Sequence, residues 1–250
     1  MDLGLEGRVA IVTGASRGLG AAAVRALAAE GARVLAVART TDDLERLAAS
    51  APELIAAESC DMLDLERVAA LPERALERFG RLDVVVNNAG IAPAARFAEQ
   101  DWQVWQDVLT VNVTAPAVLA HAAGARCFLP QRSGKVINVA STSGLRGKPS
   151  LVAYSTSKGA LVRFTEALAG EWARHGVQVN TIAPGAFDTV AQAAVTGSPD
   201  VLEKRVRKIP ARRMGEVEEI GPLVALLASP RSDFVTGATF VIDGGEVAKL

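Results

Sequence analysis

Short apolar runs rich in β-branched residues alternate along the chain with longer segments in which Ala and Leu recur at helical spacing. Most of the short runs lack polar alternation, which is typical of parallel strands covered on both faces. They predict seven strands, at Val9–Thr13, Arg33–Ala38, Leu54–Cys60, Leu82–Asn87, Lys135–Ala140, Gln178–Ile182 and Thr239–Ile242. The longer segments predict helices at about 18–30, 42–50, 64–79, 101–130, 153–175 and 216–228.

Strands that alternate with helices, joined by right-handed crossovers, predict an α/β fold with one doubly wound, Rossmann-type sheet. We expect about seven parallel strands with helices on both faces. The length of 250 residues suits one such unit, so we predict a single catalytic domain over residues 1–250. The alternation breaks at 185–213, where Asp, Thr, Ser-Pro and basic residues predict a substrate loop or mobile lid.

Charge and cysteine content narrow the class of function. Lys+Arg 27 against Asp+Glu 28 leaves a net charge of −1, which argues against a nucleic-acid or polybasic membrane binder. Cys60 and Cys127 lie far apart, which argues against a disulfide framework or a metal site. The N-terminus lacks the pattern of a signal peptide, and no apolar run has the roughly 18 residues of a membrane span. We expect a cytoplasmic protein that binds a small molecule.

A glycine-rich loop joins the first predicted strand to the first predicted helix. It reads Thr13-Gly14-Ala15-Ser16-Arg17-Gly18-Leu19-Gly20. Glycines let the backbone turn tightly and approach a pyrophosphate, whose charge is then met by free N–H groups at the helix N-terminus. In this context the loop predicts dinucleotide binding, although turns of this composition also occur without a ligand.

The end of the second strand bears on which nicotinamide cofactor is used. An acid there would hydrogen-bond the ribose of NAD, but this position reads Val37-Ala38-Arg39. Arg39, helped by Arg17 in the glycine loop, offers guanidinium donors to a 2′-phosphate. We therefore favour NADP(H), with NAD(H) possible; the alternative role of Arg39 is a solvated loop cation.

Tyr154 is the one tyrosine of the chain, and Lys158 follows four residues later. On a helix that spacing places both side chains on one face. A nearby ammonium favours phenolate, so we expect Lys158 to lower the pKa of Tyr154 toward that of a general acid/base. Ser141 directly follows the fifth predicted strand, where its hydroxyl can polarise a substrate carbonyl; Thr142 and Ser143 are rival hydroxyls.

These motifs resemble, over nearly the whole chain, those of the short-chain dehydrogenase/reductase family. The matching residues are the T-G-x-x-x-G-x-G loop, Asp61, Asn87-Asn88-Ala89-Gly90, Asn112, Ser141, Tyr154-x-x-x-Lys158, Pro184-Gly185-x-x-x-Thr189 and Asp243-Gly244-Gly245. The chain is similar to 3-oxoacyl-acyl-carrier-protein reductases and to sugar-acid or polyol reductases. Arg132 matches one of the two carrier-docking arginines of the former, but His175 stands at the other position.

The resemblance implies hydride transfer that interconverts a carbonyl and a secondary alcohol, with Tyr154 as general acid/base. It selects Ser141 by its thirteen-residue spacing to the tyrosine, and it gives Asn112 a supporting role in a proton relay with Lys158. The alternative for Asn112 is a buried amide satisfied by backbone groups. The implied catalytic residues are Ser141, Tyr154, Lys158 and Asn112.

The resemblance also implies a set of cofactor contacts and a homotetramer that buries the apolar chain end. The implied contacts are Gly14, Ser16, Arg17, Gly18, Leu19, Gly20, Arg39, Asp61, Met62, Asn88, Ala89, Gly90, Tyr154, Lys158, Pro184, Gly185 and Thr189. No metal is expected. Two other hypotheses stay open: an NAD-linked alcohol or polyol dehydrogenase, and a non-catalytic protein that senses the cofactor.

Overall fold

A computed structural model describes residues 2–189 and 197–248, and its centre is one sheet of parallel strands. The seven strands in this part of the chain are β1 (Val9–Thr13), β2 (Arg33–Ala38), β3 (Ile55–Ser59), β4 (Val84–Asn87), β5 (Gly134–Val139), β6 (Val177–Pro184) and β7 (Thr239–Ile242). They lie in the order β3-β2-β1-β4-β5-β6-β7, with every pairing parallel. The predicted α/β sheet is confirmed.

Helices cover both faces of the sheet, as predicted. In chain order they are α1 (Gly18–Ala29), α2 (Thr41–Ala49), α3 (Leu65–Phe79), α4 (Trp102–Gln131), α5 (Thr142–Leu145), α6 (Val152–Trp172), α7 (Pro199–Val206) and α8 (Gly221–Ala228). The side chains of α1, α2 and α8 form one core cluster with the sheet, and those of α3, α4 and α6 form another. One core therefore lies on each side of the sheet.

The interior strand β1 shows why the strand sequences lack polar alternation. Val9 and Ile11 pack into the core on the α3 and α4 side, whereas Ala10 and Val12 pack into the core beneath α1 and α8. All four side chains are almost fully buried. Because successive residues of a strand face opposite sides, a sheet covered on both sides needs apolar residues at every position.

Helix α4 is less regular than the predicted continuous helix over 101–130. Two π-helical turns interrupt it, at Thr110–Thr114 and at Gly124–Phe128. By length and composition alone, Trp102–Gln131 would be long and apolar enough to cross a membrane, contrary to the sequence expectation. Half of its most apolar stretch is buried inside the fold, and the core helix of a soluble protein meets the same criterion.

The segment predicted as a loop over 185–213 contains helix α7, so this part of the prediction is wrong. Pro199 occupies the first turn of α7, Asp200 lies near its N-terminus, and Lys204 lies in its last turn. These positions suit the helix dipole. A helix of eight residues with few apolar positions has too weak a periodicity to be recognised from sequence, and Val190 to Thr196 lie outside the described residues.

Candidate active site

The predicted site residues meet at the carboxyl edge of the sheet. All seven strands run the same way, so the loops that follow them emerge on one side. The glycine loop follows β1, Arg39 follows β2, and Asp61 follows β3. Asn88 to Gly90 follow β4, Ser141 follows β5, and Pro184 ends β6.

The glycine loop is bonded to the loop after β4. Thr13 Oγ1 accepts hydrogen bonds from the N–H groups of Asn88 at 3.0 Å and Ala89 at 3.1 Å. Asn88 Nδ2 in turn donates to the carbonyl oxygens of Thr13 at 2.9 Å and Gly14 at 3.1 Å. These bonds hold two neighbouring loops in one arrangement.

Two glycines of the loop are required by close backbone contacts. A Cβ added at Gly20 would lie 2.2 Å from the Gly14 carbonyl oxygen, and one added at Gly14 would lie 2.8 Å from Ala89 Cα. Gly14 and Gly18 also have positive φ angles, 64° and 57°, which favour glycine. A Cβ at Gly18 would lie 3.6 Å from Thr189 Cγ2, so Thr189 borders the loop.

The start of α1 has the features of an anion site. Its first turn reads Gly18-Leu19-Gly20 without an acidic residue, and among the described residues no side chain caps it. Its free N–H groups and positive dipole end therefore suit a phosphate. Ser16 is half-buried beside this end and Arg17 is exposed, so a dinucleotide phosphate fits the groups present.

A pair of opposite charges, Arg39 and Asp61, lies at the ends of β2 and β3. An Arg39 Nη1 atom lies 3.8 Å from Asp61 Oδ2, and both side chains are largely exposed. Met62 is buried in the core beneath them. The Arg39 guanidinium thus stands at the sheet edge, free to exchange a long, exposed carboxylate contact for another anion.

Ser141, Tyr154 and Lys158 are brought together, as the sequence predicts. Ser141 is the N-cap of α5; its hydroxyl accepts a hydrogen bond from the Ser143 N–H at 3.0 Å, and it lies close enough to the Tyr154 phenol to lower the pKa of that group. Lys158 Nζ lies 5.8 Å from the centroid of the Tyr154 ring and donates to the Val139 carbonyl oxygen at 2.7 Å. A phenol, a hydroxyl and an amine therefore share one small region.

Burial dominates the electrostatics of this group. It raises the pKa of Tyr154, against the opposing effect of the Ser141 hydroxyl, and it lowers the pKa of Lys158 to about 8. The expected lowering of the tyrosine pKa by Lys158 is therefore wrong for the protein alone. Desolvation disfavours the charged form of each group, and at 5.8 Å from the ring the amine does not reverse this.

Asn112 lies in the first π-helical turn of α4 and is completely buried. Its Oδ1 accepts from the Ile91 N–H at 2.9 Å, while Nδ2 donates to the Ile91 carbonyl oxygen at 3.0 Å and to Ser157 Oγ at 3.0 Å. Both backbone groups of Ile91 therefore bond to this amide, which agrees with the alternative that Asn112 is a buried amide satisfied by backbone groups. A Cβ at Gly90 would lie 3.3 Å from both Asn112 Oδ1 and Lys158 Nζ, so Asn112 also borders the catalytic group.

Known proteins and one family model match nearly the whole chain. A family model described as enoyl-(acyl carrier protein) reductase matches residues 14–246. The 2-dehydro-3-deoxy-D-gluconate 5-dehydrogenase of Dickeya dadantii (strain 3937) is 34% identical, covering 98% of this chain and 97% of that protein. The 3-oxoacyl-acyl-carrier-protein reductase of Synechocystis sp. (strain ATCC 27184 / PCC 6803 / Kazusa) is 36% identical, covering 97% of this chain and 98% of that protein.

The chain belongs to the short-chain dehydrogenase/reductase family. A solved structure of a Beutenbergia cavernae protein, assigned as an NAD(P)-dependent gluconate 5-dehydrogenase and holding NADP at low occupancy, is similar throughout. It is 37% identical, superposes with a TM-score of 0.94 and covers 100% of both chains. The predicted family membership and the predicted class of oxidoreductase are confirmed.

Some supporting groups of this short-chain dehydrogenase/reductase were missed from sequence. Ser157, which receives a hydrogen bond from Asn112, and the Val139 carbonyl, which receives one from Lys158, have no sequence pattern that marks them. Thr13 carries a signal, since it begins the glycine loop after a buried strand. Among the described residues, no group of three or more His, Cys, Asp or Glu side chains could hold a metal ion.

Replacing Lys158 by Met should change how stability depends on pH. Burial lowers the pKa of Lys158 to about 8 in the folded chain, against an ordinary value of 10.5. Between these values the unfolded state binds more protons, so the free energy of unfolding rises with pH across the window. Urea unfolding at both ends of the window should show this rise in the wild type and in Lys204→Met, which removes an exposed lysine. An equal rise in Lys158→Met would contradict the assignment.

Proposed function

We propose that this short-chain dehydrogenase/reductase uses NADP(H) to interconvert a carbonyl and a secondary alcohol, with Tyr154 as the general acid/base. The observation that carries the proposal is the proximity of the Tyr154 phenol to the Ser141 hydroxyl and to the buried amine of Lys158. This group lies at the sheet edge that also carries the glycine loop.

The chemistry of reduction follows from these side chains. Ser141 and Tyr154 both donate to the carbonyl oxygen, on which negative charge develops. As a hydride reaches the carbonyl carbon, the Tyr154 hydroxyl gives its proton to that oxygen; oxidation reverses both transfers. A pKa raised by burial keeps the phenol protonated near neutral pH, which suits the acid of the reductive direction.

The same proposal assigns the residues that would hold the cofactor. The N–H groups of the glycine loop and of α1 would bind the pyrophosphate, and Arg39 with Arg17 would bind the 2′-phosphate. Asp61 and Met62 would border the adenine, while Asn88 to Gly90, Pro184, Gly185 and Thr189 would border the nicotinamide. When bound, NADPH supplies the hydride. The NADP in the Beutenbergia cavernae structure supports this choice of cofactor.

Lys158 and Asn112 serve as positioning residues in this proposal. The Lys158 amine lies beneath the tyrosine ring and beside Gly90, where it would contact the nicotinamide ribose. The Asn112 amide accepts a hydrogen bond from the Ile91 N–H and donates one to the Ile91 carbonyl oxygen, so it orders the loop after β4. Its part in a proton relay stays a prediction.

The substrate side is formed by the region 185–213, which includes α7 in its described part. The basic run in this region is largely neutralised: Arg205 pairs with Glu246, Arg207 with Glu203, and Arg213 with Glu219. This pairing argues against the run as an anion-binding surface. The named relatives act on a sugar acid or a 3-oxoacyl chain, and both names imply a carbonyl or secondary alcohol.

Replacing Tyr154 by Phe should abolish turnover and leave cofactor binding intact. The change removes the proton donor while keeping the half-buried ring, so we expect kcat with a carbonyl panel and NADPH to fall about 100-fold or more. The dissociation constant of NADPH, measured by fluorescence titration, should stay the same. Undiminished turnover would refute the assigned role. A wild type that binds NADPH tightly yet turns over no ketone or alcohol would favour the cofactor-sensing alternative.

Replacing Arg39 by Ala should weaken NADP⁺ binding selectively. Loss of a charge-assisted contact to the 2′-phosphate should raise the NADP⁺ dissociation constant about 10- to 100-fold and leave that of NAD⁺ unchanged. Arg46→Ala is the matched control, because it removes another exposed cation from the neighbouring helix. If Arg39→Ala leaves the NADP⁺ affinity unchanged and the protein binds NAD⁺ as tightly as NADP⁺, the NAD-linked dehydrogenase is favoured.

We also propose a homotetramer. Strand β7 is an edge strand, and large apolar side chains near it are exposed, with Phe234 fully exposed and Val241 at 44%. Such an edge is usually covered by a partner. Light scattering should give four times the mass of one chain, and Phe234→Glu should lower that mass, whereas Leu63→Glu, at another exposed position, should not. A wild-type monomer would refute the proposal.

The cytoplasmic location stays a prediction.

A further inference from the structure

A row of polar side chains crosses three neighbouring strands on the side of the sheet that α6 covers. Asn87 at the end of β4 lies in register with Asn138 of β5, which in turn lies in register with Thr181 of β6. All three are almost fully buried, and the strand positions two residues earlier are valines of the core shared by α3, α4 and α6. Polar groups in such a core are unfavourable unless each is hydrogen-bonded.

The side chains of this row form one hydrogen-bond network with the helices above them. Asn87 Nδ2 donates to Asn138 Oδ1 at 2.8 Å and lies 3.4 Å from the Pro116 carbonyl oxygen in α4. Asn138 Nδ2 donates to Thr165 Oγ1 of α6 at 2.8 Å, and Thr181 Oγ1 donates to the same atom at 2.7 Å. The network therefore links three strands to α4 and α6.

Thr165 is the point at which the network meets α6, and its side chain is completely buried. Its hydroxyl accepts from Asn138 and Thr181 and donates to the Leu161 carbonyl oxygen at 2.9 Å. A hydroxyl has one donor and two acceptor sites, so the whole capacity of this group is used. A shift of α6 along the sheet would break bonds that no water can replace in a packed core.

The helix and the strand that Thr165 joins are those that carry the proposed catalytic groups. Tyr154 and Lys158 lie in α6, whereas Ser141 follows β5. Lys158 Nζ donates to the carbonyl oxygen of Val139 in β5 at 2.7 Å. Thr165 lies two helical turns beyond Lys158, about 10 Å along α6, so side chains from two separate points of the helix bond to this strand.

Given the proposed function, on which this inference rests, we propose that the hydrogen bond between Asn138 and Thr165 fixes α6 against β5 and thereby places the Tyr154 phenol beside the Ser141 hydroxyl. Thr165 is a positioning residue, since it acts from the core through the helix that carries Tyr154. A displacement of about 1 Å between reacting groups can cost about 100-fold in rate. The glycine loop follows β1, so binding of the cofactor phosphates does not depend on this bond.

The test removes the acceptor oxygen of Thr165 and keeps the shape of the side chain. We expect Thr165→Val, at a temperature where circular dichroism shows it folded, to lower kcat about 10- to 100-fold. The assay uses NADPH and the carbonyl of the panel that the wild type reduces fastest. The dissociation constant of NADPH should change little, and Thr165→Ser, which keeps the hydroxyl, should restore most of the wild-type kcat.

A second measurement observes the proposed proton donor without any substrate. Tyr154 is the one tyrosine of the chain, so protein labelled at tyrosine Cζ gives one NMR signal, whose chemical shift depends on the surroundings of the phenol. We expect this signal to move in Thr165→Val and to keep its wild-type position in Thr165→Ser. Failure of the proposed function is read separately, as absent NADPH binding or absent turnover by the wild type.

Ser229→Ala is the matched control, because it removes another completely buried hydroxyl, one that follows α8 on the other side of the sheet. Its Oγ donates to the Leu3 carbonyl oxygen at 2.5 Å and accepts from the Arg231 N–H at 2.9 Å. This variant should lose stability but keep the wild-type kcat and tyrosine signal.

Three results would overturn the proposal: an unchanged kcat or tyrosine signal in folded Thr165→Val, no recovery in Thr165→Ser, or an equal loss of kcat in Ser229→Ala. If Thr165→Val does not fold, Thr165→Cys replaces it and is compared with Thr165→Ser. The thiol fills a similar space but accepts hydrogen bonds weakly, so we expect the same pattern with a smaller loss of kcat.

Discussion

The site depends on one constraint, the parallel hydrogen bonding of seven strands covered on both faces. A parallel ladder aligns the carboxyl ends of all strands, so the loops after β1 to β6 open at one edge however far apart they lie in the chain. The cores on both sides hold this sheet in place. Without that alignment the glycine loop, Ser141 and Tyr154 would be unrelated motifs.

Close packing of backbone against backbone then shapes the edge. Gly14 and Gly20 leave no space for a Cβ, and Thr13 binds the loop after β4 through its hydroxyl. Asn112 performs a similar task further along, since its amide pairs with both backbone groups of Ile91. These contacts position the loops before any ligand arrives, which lowers the entropy lost on binding.

Burial gives the two titratable groups of the site opposite shifts in pKa. It raises that of Tyr154 and lowers that of Lys158, so both neutral forms are favoured in the protein alone. Charges brought by cofactor and substrate therefore act on groups that are poorly solvated, where electrostatic interactions are stronger than in water.

Local sequence determined the elements, the order of the motifs and most of the site. Apolar runs predicted β1 and β2 to the residue, because strands buried on both faces tolerate few other side chains. The bounds of the partly exposed edge strand β7 were also predicted to the residue. The short charged helix α7 and the π-helical turns of α4 were not predicted, since neither changes the periodicity enough to be seen. Only the tertiary structure decided the pKa of Tyr154 and the partners of Asn112. Burial and pairing depend on groups distant in the chain, and no local pattern encodes which of them meet.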